Sequence, residues 1–558
     1  MVAQADRRHS IFEILILAGL ITAANWAAFA ASPAGMLALF HACFLLSAYM
    51  LLRLAVKRLN KWVGKLVFAV CVLLFAADIL AQKITGLHIN PFILSVMLQP
   101  GIASELGFSP YGLWAMAIAG ISLGIGGAWR LSTPFMVTSG RRLLALTVIF
   151  GLAAQALYSA LFYSGVSEIE DVRRKLAFFS APHPYYRHKI LAYFWPAESN
   201  NPFASVSPSK ASAAPTLPLS VQEKPNKNIL LIVSDSLRSK DIAADQTLAP
   251  SLYSWAQKGA LSLDHYSTSN CTHFSFYSMF TGAFPTEFGA ARRNHGAVGL
   301  LPALQQNGYG LSTSEANSLD WYDTASIIFP PKTERFISEA ETASARDKDV
   351  TNQTIATLEK HQKSSKPFFH LSYYFGSHYP YDPALNKDAE NKIDRYKLTV
   401  RAFDQQLDKL LSHLEQNGML DNTIVIVTSD HGEEFRTTGR TGHATRLSDE
   451  QVKVPFLIID KNSNATSEVS HPKSHLDVAQ FLLAQAAGSE APASKPVILA
   501  NCSYDYPSGF ALLPGEGPRV DFAYRDGYLT PINGPDGTAA SAKDLKAAAA
   551  QLIAAINK

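Results

Sequence analysis

The sequence predicts two parts of different class: a five-helix transmembrane domain over residues 1–165 and, from residue 228, a doubly wound α/β domain. Three observations carry this reading. Charged residues make up 17% of the 558 positions, against about 25% in an ordinary soluble domain, so part of the chain is unusually poor in charge. Five apolar stretches, at roughly 11–31, 34–55, 63–82, 109–129 and 143–163, are each long enough to cross a bilayer. Further on, continuous apolar runs alternate with helical periodicity, the pattern of buried parallel strands joined by helices.

Five such stretches are more than a cleaved signal peptide explains. Arg7 and Arg8 precede the first; Arg53, Lys57, Arg58, Lys61 and Lys65 lie between the second and third; Arg130, Arg141 and Arg142 lie between the fourth and fifth. The alternate loops carry only Lys83, so the positive-inside rule puts the N-terminus in the cytoplasm and everything after about residue 165 across the membrane. Asp78, late in the third stretch, is a candidate functional acid; an acid reaching the interface or bonding a neighbouring helix is the simpler reading. The apolar segment from Leu87 to Pro100 is too short to span and is expected to lie on, or re-enter, the outer face.

Residues 166–227 form the connection. Its first part mixes rings with cations, and Arg173, Arg174, Arg187 and Lys189 are candidates for binding lipid headgroups; a short amphipathic packing helix is the alternative. Pro202, Pro208, Pro215, Pro218 and Pro225 mark the rest as an extended tether. Residues 1–165 hold 11 Lys and Arg against 4 Asp and Glu, and the remainder 38 against 42, so no basic nucleic-acid-binding domain is present. Four cysteines make no disulfide framework: Cys43 and Cys71 lie in apolar runs, while Cys271 and Cys502 pair only if the fold brings them together.

In the α/β domain, expected over 228–505 with an extension over 506–558, Asn228-Ile-Leu-Leu-Ile-Val233 and Thr423-Ile-Val-Ile-Val-Thr428 read as buried strands. Between them Val400, Phe403, Leu407, Leu410 and Leu414 recur at helical spacing, ended by Gly418. Ligands of such sheets bind beyond the C-terminal strand ends, where Asp235 follows the first strand and Asp430-His431 the second. Two carboxylates and an imidazole meeting there suit a borderline cation such as Zn²⁺ or Mn²⁺, although a lone Asp after a strand is more often a helix cap.

These motifs resemble the alkaline phosphatase superfamily in its sulfatase-like branch. Besides Asn228 to Asp235, the likeness rests on Asn270-Cys-Thr272 through Thr281-Gly282, Leu301 to Tyr309, Pro367 to His378, Asp421 to Gly432, Gly442-His443 and Asp449 to Pro455, in the family's order. Thr272 stands where sulfatases carry the cysteine that becomes formylglycine, and Cys271 is one position off. A threonine there is similar to phosphoethanolamine transferases and lipoteichoic acid synthases. That resemblance implies a phospho-threonine intermediate on Thr272, metal ligands Asp235, Thr272, Asp430 and His431, and imidazoles of His378 and His443 on the phosphate oxygens or leaving group. With Ser236 in place of a second acid, it implies one divalent metal, Zn or Mn.

The five stretches, the late acid, the His88-Ile-Asn-Pro91 segment and the Arg-rich connection resemble YejM-like inner-membrane proteins of Gram-negative bacteria. This implies an inner-membrane location, a periplasmic C-terminal domain, lipid A or phospholipid headgroups as ligands, and membrane partner proteins of lipopolysaccharide regulation. The best-known members have a degraded metal site, whereas Thr272 and Asp430-His431-Gly432 are intact here. Two functions result as expectations: a metal-dependent phosphatase or phospho-substituent transferase acting on lipid or glycan headgroups, and a lipid A-binding regulator with an enzyme-like domain.

Overall fold

The computed structural model describes residues 35–56, 61–85 and 140–163 of the first half, with isolated positions between them, and most of 226–556. They fall into two units, Met1–Val206 with Arg525–Gly534, and Ser207–Tyr524 with Pro535–Lys558.

The first unit contains helices α1 (Gly35–Val56), α2 (Lys61–Thr85) and α3 (Gly140–Tyr163). Among the described residues, α1 and α3 are long and apolar enough to cross a membrane, and α2 carries a shorter apolar run, Trp62–Phe75. Two helices that qualify do not make the five expected; the stretches at 11–31 and 109–129 lie, but for isolated positions, outside the described residues. Leu66, Leu74, Leu144 and Leu152 are exposed, as lipid-facing side chains of such helices are. A Cβ on Gly151 of α3 would fall 3.1 Å from the Phe44 ring of α1, so the small residue sets how closely the helices pack. Asp78 is buried, and its carboxylate accepts the backbone N–H of Ile89 at 2.9 Å, fastening the chain beyond α2 back onto the helix. Apart from Ile89, the segment 87–100 lies outside the described residues, as do Arg173, Arg174, Arg187 and Lys189.

The second unit is built on a seven-stranded sheet. Its strands are β1 (Asn228–Ser234), β2 (Ala260–Tyr266), β3 (Gly310–Glu315), β4 (Glu334–Ile337), β5 (Phe368–Tyr374), β6 (Thr423–Thr428) and β9 (Lys453–Ile459), in the order β2-β9-β6-β1-β5-β3-β4. Strands β6, β1, β5, β3 and β4 run parallel, while β9 and β2 add an antiparallel edge. The central β1, β5 and β6 are almost wholly buried and mostly apolar, as strands covered on both faces must be. Between β6 and β9 lies a short hairpin, β7 (Glu434–Phe435) with β8 (Thr441–Gly442), and a smaller antiparallel sheet pairs β10 (Val497–Asn501), β11 (Gly509–Leu513) and β12 (Val520–Arg525).

Among the helices of this unit are α4 (Thr272–Thr281), α5 (Ala343–Ser364), α6 (Lys392–Gln416) and α7 (His475–Ala486). The helical stripe of the sequence is the buried face of α6: Val400, Phe403, Leu407, Leu410 and Leu414 join the core that includes Leu230, Ile232, Val425 and Val427. Asn391 caps this helix by accepting the Asp394 N–H at 2.9 Å, and Gly418, at φ 66°, turns the chain at its end. Because Leu407 is wholly buried, Leu407→Ala should destabilise the second unit by about 2–5 kcal/mol, read as a lower denaturation midpoint in urea.

Candidate functional site

Strands β1 and β6 are neighbours, and their register pairs Asn228 with Thr423 and Val233 with Thr428, the same offset that separates Asp235 from Asp430. Parallel pairing therefore carries both acids to one edge of the sheet. Both are buried, and with His431 they offer ligand atoms all within 4.8 Å of one another. Asp235 accepts hydrogen bonds from the Tyr373 hydroxyl and, at 2.8 Å, from the Ser236 hydroxyl. Asp430 Oδ1 accepts the backbone N–H of Ser236 at 3.1 Å and of His431 at 2.8 Å. Its Oδ2 makes no regular hydrogen bond and lies 3.5 Å from His431 Nε2.

The protons are divided in a way that calls for a cation. His431 Nδ1 lies 3.0 Å from the Gly432 carbonyl, an acceptor only, so Nδ1 holds the proton and Nε2 turns its lone pair toward the acids. Burial pushes the imidazole below its ordinary value although Asp235 opposes this. Burial also pushes Asp430 well above the carboxylate range, and the charge of Asp235 adds to it. For Asp235 burial is outweighed by His378, His431, His443 and the Tyr373 hydroxyl, so its carboxyl is held low. An imidazole nitrogen and two buried carboxylates, one with an oxygen that makes no regular hydrogen bond, converge here, which is a donor set a divalent metal fits. Gly432 is required for backbone reasons: a Cβ there would collide with the Glu450 carbonyl.

Thr272 is the first residue of α4, and its hydroxyl lies 3.3 Å from His431 Nε2, so the helix brings an oxygen to the same cluster. In the preceding run of small polar residues the side chains of Ser267, Ser269 and Asn270 find buried partners, while the Thr268 hydroxyl makes no regular hydrogen bond. Ser275 donates to the Ser267 and Ser269 carbonyls, Ser269 donates to the Ala500 carbonyl, and Asn270 donates to Arg446 O, Gln451 Oε1 and Asn501 Oδ1 while accepting Cys502 N–H at 2.9 Å. Cys271, the N-cap of α4, is disulfide-bonded to Cys502 just beyond β10. The Thr272 end of the helix is thus tied covalently to the second sheet.

His378 and His443 complete the group. The His443 ring lies 4.2 Å from that of His431 and 5.2 Å from that of His378, centroid to centroid. His378 stacks on Phe375 at 4.4 Å; His443 follows β8, between Gly442 at φ 83° and Ala444 at φ 58°. The structure thus gathers Asp235, Thr272, Asp430, His431, His378 and His443 from five separate segments.

Sequence reasoning passed over Glu433. It is wholly buried, its Oε1 lies 3.5 Å from His443 Nδ1, and burial is outweighed by His443, His378 and His431, which hold its carboxyl low. Its adjacency to Asp430-His431-Gly432 was the available signal, obscured by a second acid, Glu434, whose carboxylate instead accepts from Ser448 and Gln451. Tyr373 was also missed, because a tyrosine inside a buried strand reads as core. Next to Thr272 in sequence, the His273 ring lies 4.5 Å from that of Tyr322, whose neighbour Trp321 is 39% exposed.

Residues 227–489 match the family model described as Sulfatase. The inner membrane protein YejM of Salmonella typhi is 24% identical over 277 residues, covering 48% of this chain and 43% of that protein, so the chain spans less than half the length of this relative. Lipoteichoic acid synthase 1 of Bacillus subtilis is 24% identical over 147 residues, covering 24% of this chain and 23% of that protein. The fold is also that of the integral membrane protein lipooligosaccharide phosphoethanolamine transferase A of Neisseria meningitidis, at TM-score 0.55 and 15% identity over 86% of this chain and 97% of that one. The α/β unit around this site is therefore the part of the chain that matches the Sulfatase family model, over residues 227–489, and the chain is similar there to sulfatase-like membrane proteins.

Proposed function

We propose that this chain is a membrane-anchored, metal-dependent phosphatase or phospho-substituent transferase that acts on lipid or glycan headgroups with Thr272 as its nucleophile. The observation that carries the reading is the Thr272 hydroxyl, presented by a helix N-terminus 3.3 Å from the nitrogen of a buried two-acid, one-imidazole cluster. One divalent ion, Zn²⁺ or Mn²⁺, held by Asp235, Thr272, Asp430 and His431, would acidify the hydroxyl and draw charge from phosphorus.

The chain's own groups supply the rest. Thr272 Oγ forms the bond to phosphorus as the bond to the leaving headgroup oxygen breaks, and the α4 N-terminus favours the anion that collects there. His378 and His443 stand on the open side of the cluster, placed to bind phosphate oxygens or to give the departing alkoxide its proton. Glu433 holds His443 by its Nδ1 edge. Water or an acceptor hydroxyl then releases the phosphoryl group from Thr272, completing hydrolysis or transfer.

The membrane domain is proposed to have five spans with a cytoplasmic N-terminus, placing the α/β unit in the periplasm of a bacterial inner membrane. The Arg and Lys distribution supports this, and so does the Cys271–Cys502 disulfide, which belongs to an oxidising compartment. Headgroup substrates are supported by the names of the lipooligosaccharide-modifying and lipoteichoic-acid-synthesising relatives. The cations at 173, 174, 187 and 189 are proposed to hold the anionic lipid surface.

Two measurements test this. Purified full-length protein should contain about one Zn or Mn per chain and Asp430→Asn almost none; full occupancy in Asp235→Ala/His431→Ala would refute the ligand set. Thr272→Ala should lower phosphodiester turnover by at least about 1,000-fold, abolish any phospho-threonine seen by mass spectrometry, and keep the fold. A wild-type protein that binds metal and lipid A but turns over no phosphodiester would favour the lipid-binding regulator.

A further inference from the structure

His378 is carried by a loop that follows β5, and both ends of that loop are gripped by the first turns of α5. Asp347 of α5 is buried, and its carboxylate accepts the backbone N–H of Phe375 at 2.8 Å and of Gly376 at 3.0 Å. At the other end, the Asp382 carboxylate accepts the backbone N–H of Ser344 at 2.6 Å. Between the grips, the Ser377 hydroxyl donates to the Asp235 carbonyl at 2.6 Å, and the Phe375 ring stacks on the His378 imidazole at 4.4 Å with 20° between planes. The residue after Phe375 has to be small, since a Cβ on Gly376 would come within 2.5 Å of Asp347 Oδ2. Arg346 lies over the other part of the same contact, its guanidinium 5.6 Å from the Phe375 ring centre.

We propose that Asp347 is a positioning residue for His378: by binding two consecutive amides it fixes the Phe375 ring, and the ring fixes the imidazole against the reaction centre. The inference rests on the reading of His378 as a group that touches phosphate or leaving group. Asp347 itself lies on a different element from every residue of the cluster, and its carboxylate accepts hydrogen bonds from the loop that carries His378. A side chain that merely closed a helix-to-strand junction would have no reason to hold the two amides next to the ring stacked on His378. The geometry predicts that its loss mimics the loss of His378, whereas loss of an ordinary core contact would add to it.

The test uses full-length, metal-loaded protein in detergent with bis(p-nitrophenyl) phosphate as probe. Asp347→Asn keeps the volume but sets an amide against two N–H donors; Gly376→Ala pushes the carboxylate away from the opposite side. Each should lower kcat by about 10- to 100-fold with KM changed by less than about threefold, and raise amide hydrogen exchange in peptides covering 375–381 but not 423–433. In a His378→Ala background neither should cost more than about a further twofold. Wild-type kcat in both variants would overturn the proposal, as would a full additional loss in the His378→Ala background. Wild-type activity of His378→Ala would overturn it together with the role given to His378, which distinguishes that failure from a failure of the clamp alone.

Discussion

The constraint on which the second unit depends is the meeting of two carboxylates and an imidazole lone pair in a space closed to water. Asp235 and Asp430 are both buried, and their hydrogen bonds among the described residues come from hydroxyls and backbone amides rather than from arginine or lysine. Like charges at this range in a poorly polarisable surrounding repel strongly, so one acid is driven toward its neutral form while the other stays ionised. Everything around the cluster serves to hold this arrangement: the parallel register of β1 and β6, the amides of Ser236 and His431, the Tyr373 hydroxyl, and the Gly432 contact that keeps the loop against Glu450. A cation bound among these groups would neutralise such a concentration of unfavourable terms.

A second layer fixes what faces the cluster. Arg238 is buried directly beyond β1, paired with Asp241 and Glu450, and donates to the Glu433 carbonyl at 3.1 Å while its guanidinium sits 4.6 Å over the Phe435 ring. Glu434 accepts from Gln451, and Gln451 accepts from Asn270, so a continuous chain of hydrogen bonds runs from the start of β7 to the residue two before Thr272. The disulfide closes the same region on the other side. These buried polar groups are satisfied by one another, which favours a single arrangement of the Thr272 segment over a set of loop conformers.

The membrane helices obey different rules. In α1 and α3 the packing rests on a small residue beneath an aromatic ring, and apolar side chains such as Met36, Leu39, Leu144, Ile149 and Leu152 are exposed. Asp78 shows how an acid is retained there: its carboxylate satisfies a backbone amide that lies beyond the last turn of α2. The bond is of the kind the simpler reading of this acid expects, a carboxylate tied to nearby protein.

The fold class was legible in the sequence because it is written in short-range pattern. The apolar runs of β1 and β6 and the three-and-four spacing on α6 each depend on a few neighbouring residues, and the structure returns them with nearly the same boundaries. Much of the cluster was also legible, since an acid after a strand has only one sheet edge to occupy once strands are parallel. Tertiary structure alone decided the rest. Whether Cys271 meets Cys502 depends on a closure across 231 residues, and sequence carries no local term for it. Glu433 was indistinguishable from Glu434 until the hairpin beyond them turned His443 back over the first and left the second to Gln451. Asp347 is one of three acids on a polar helix until the end of β5 is laid against it. Periodicity and strand-end chemistry are local and survive in the order of the residues, whereas partners of buried charges are chosen by packing, which exists only once the chain has folded.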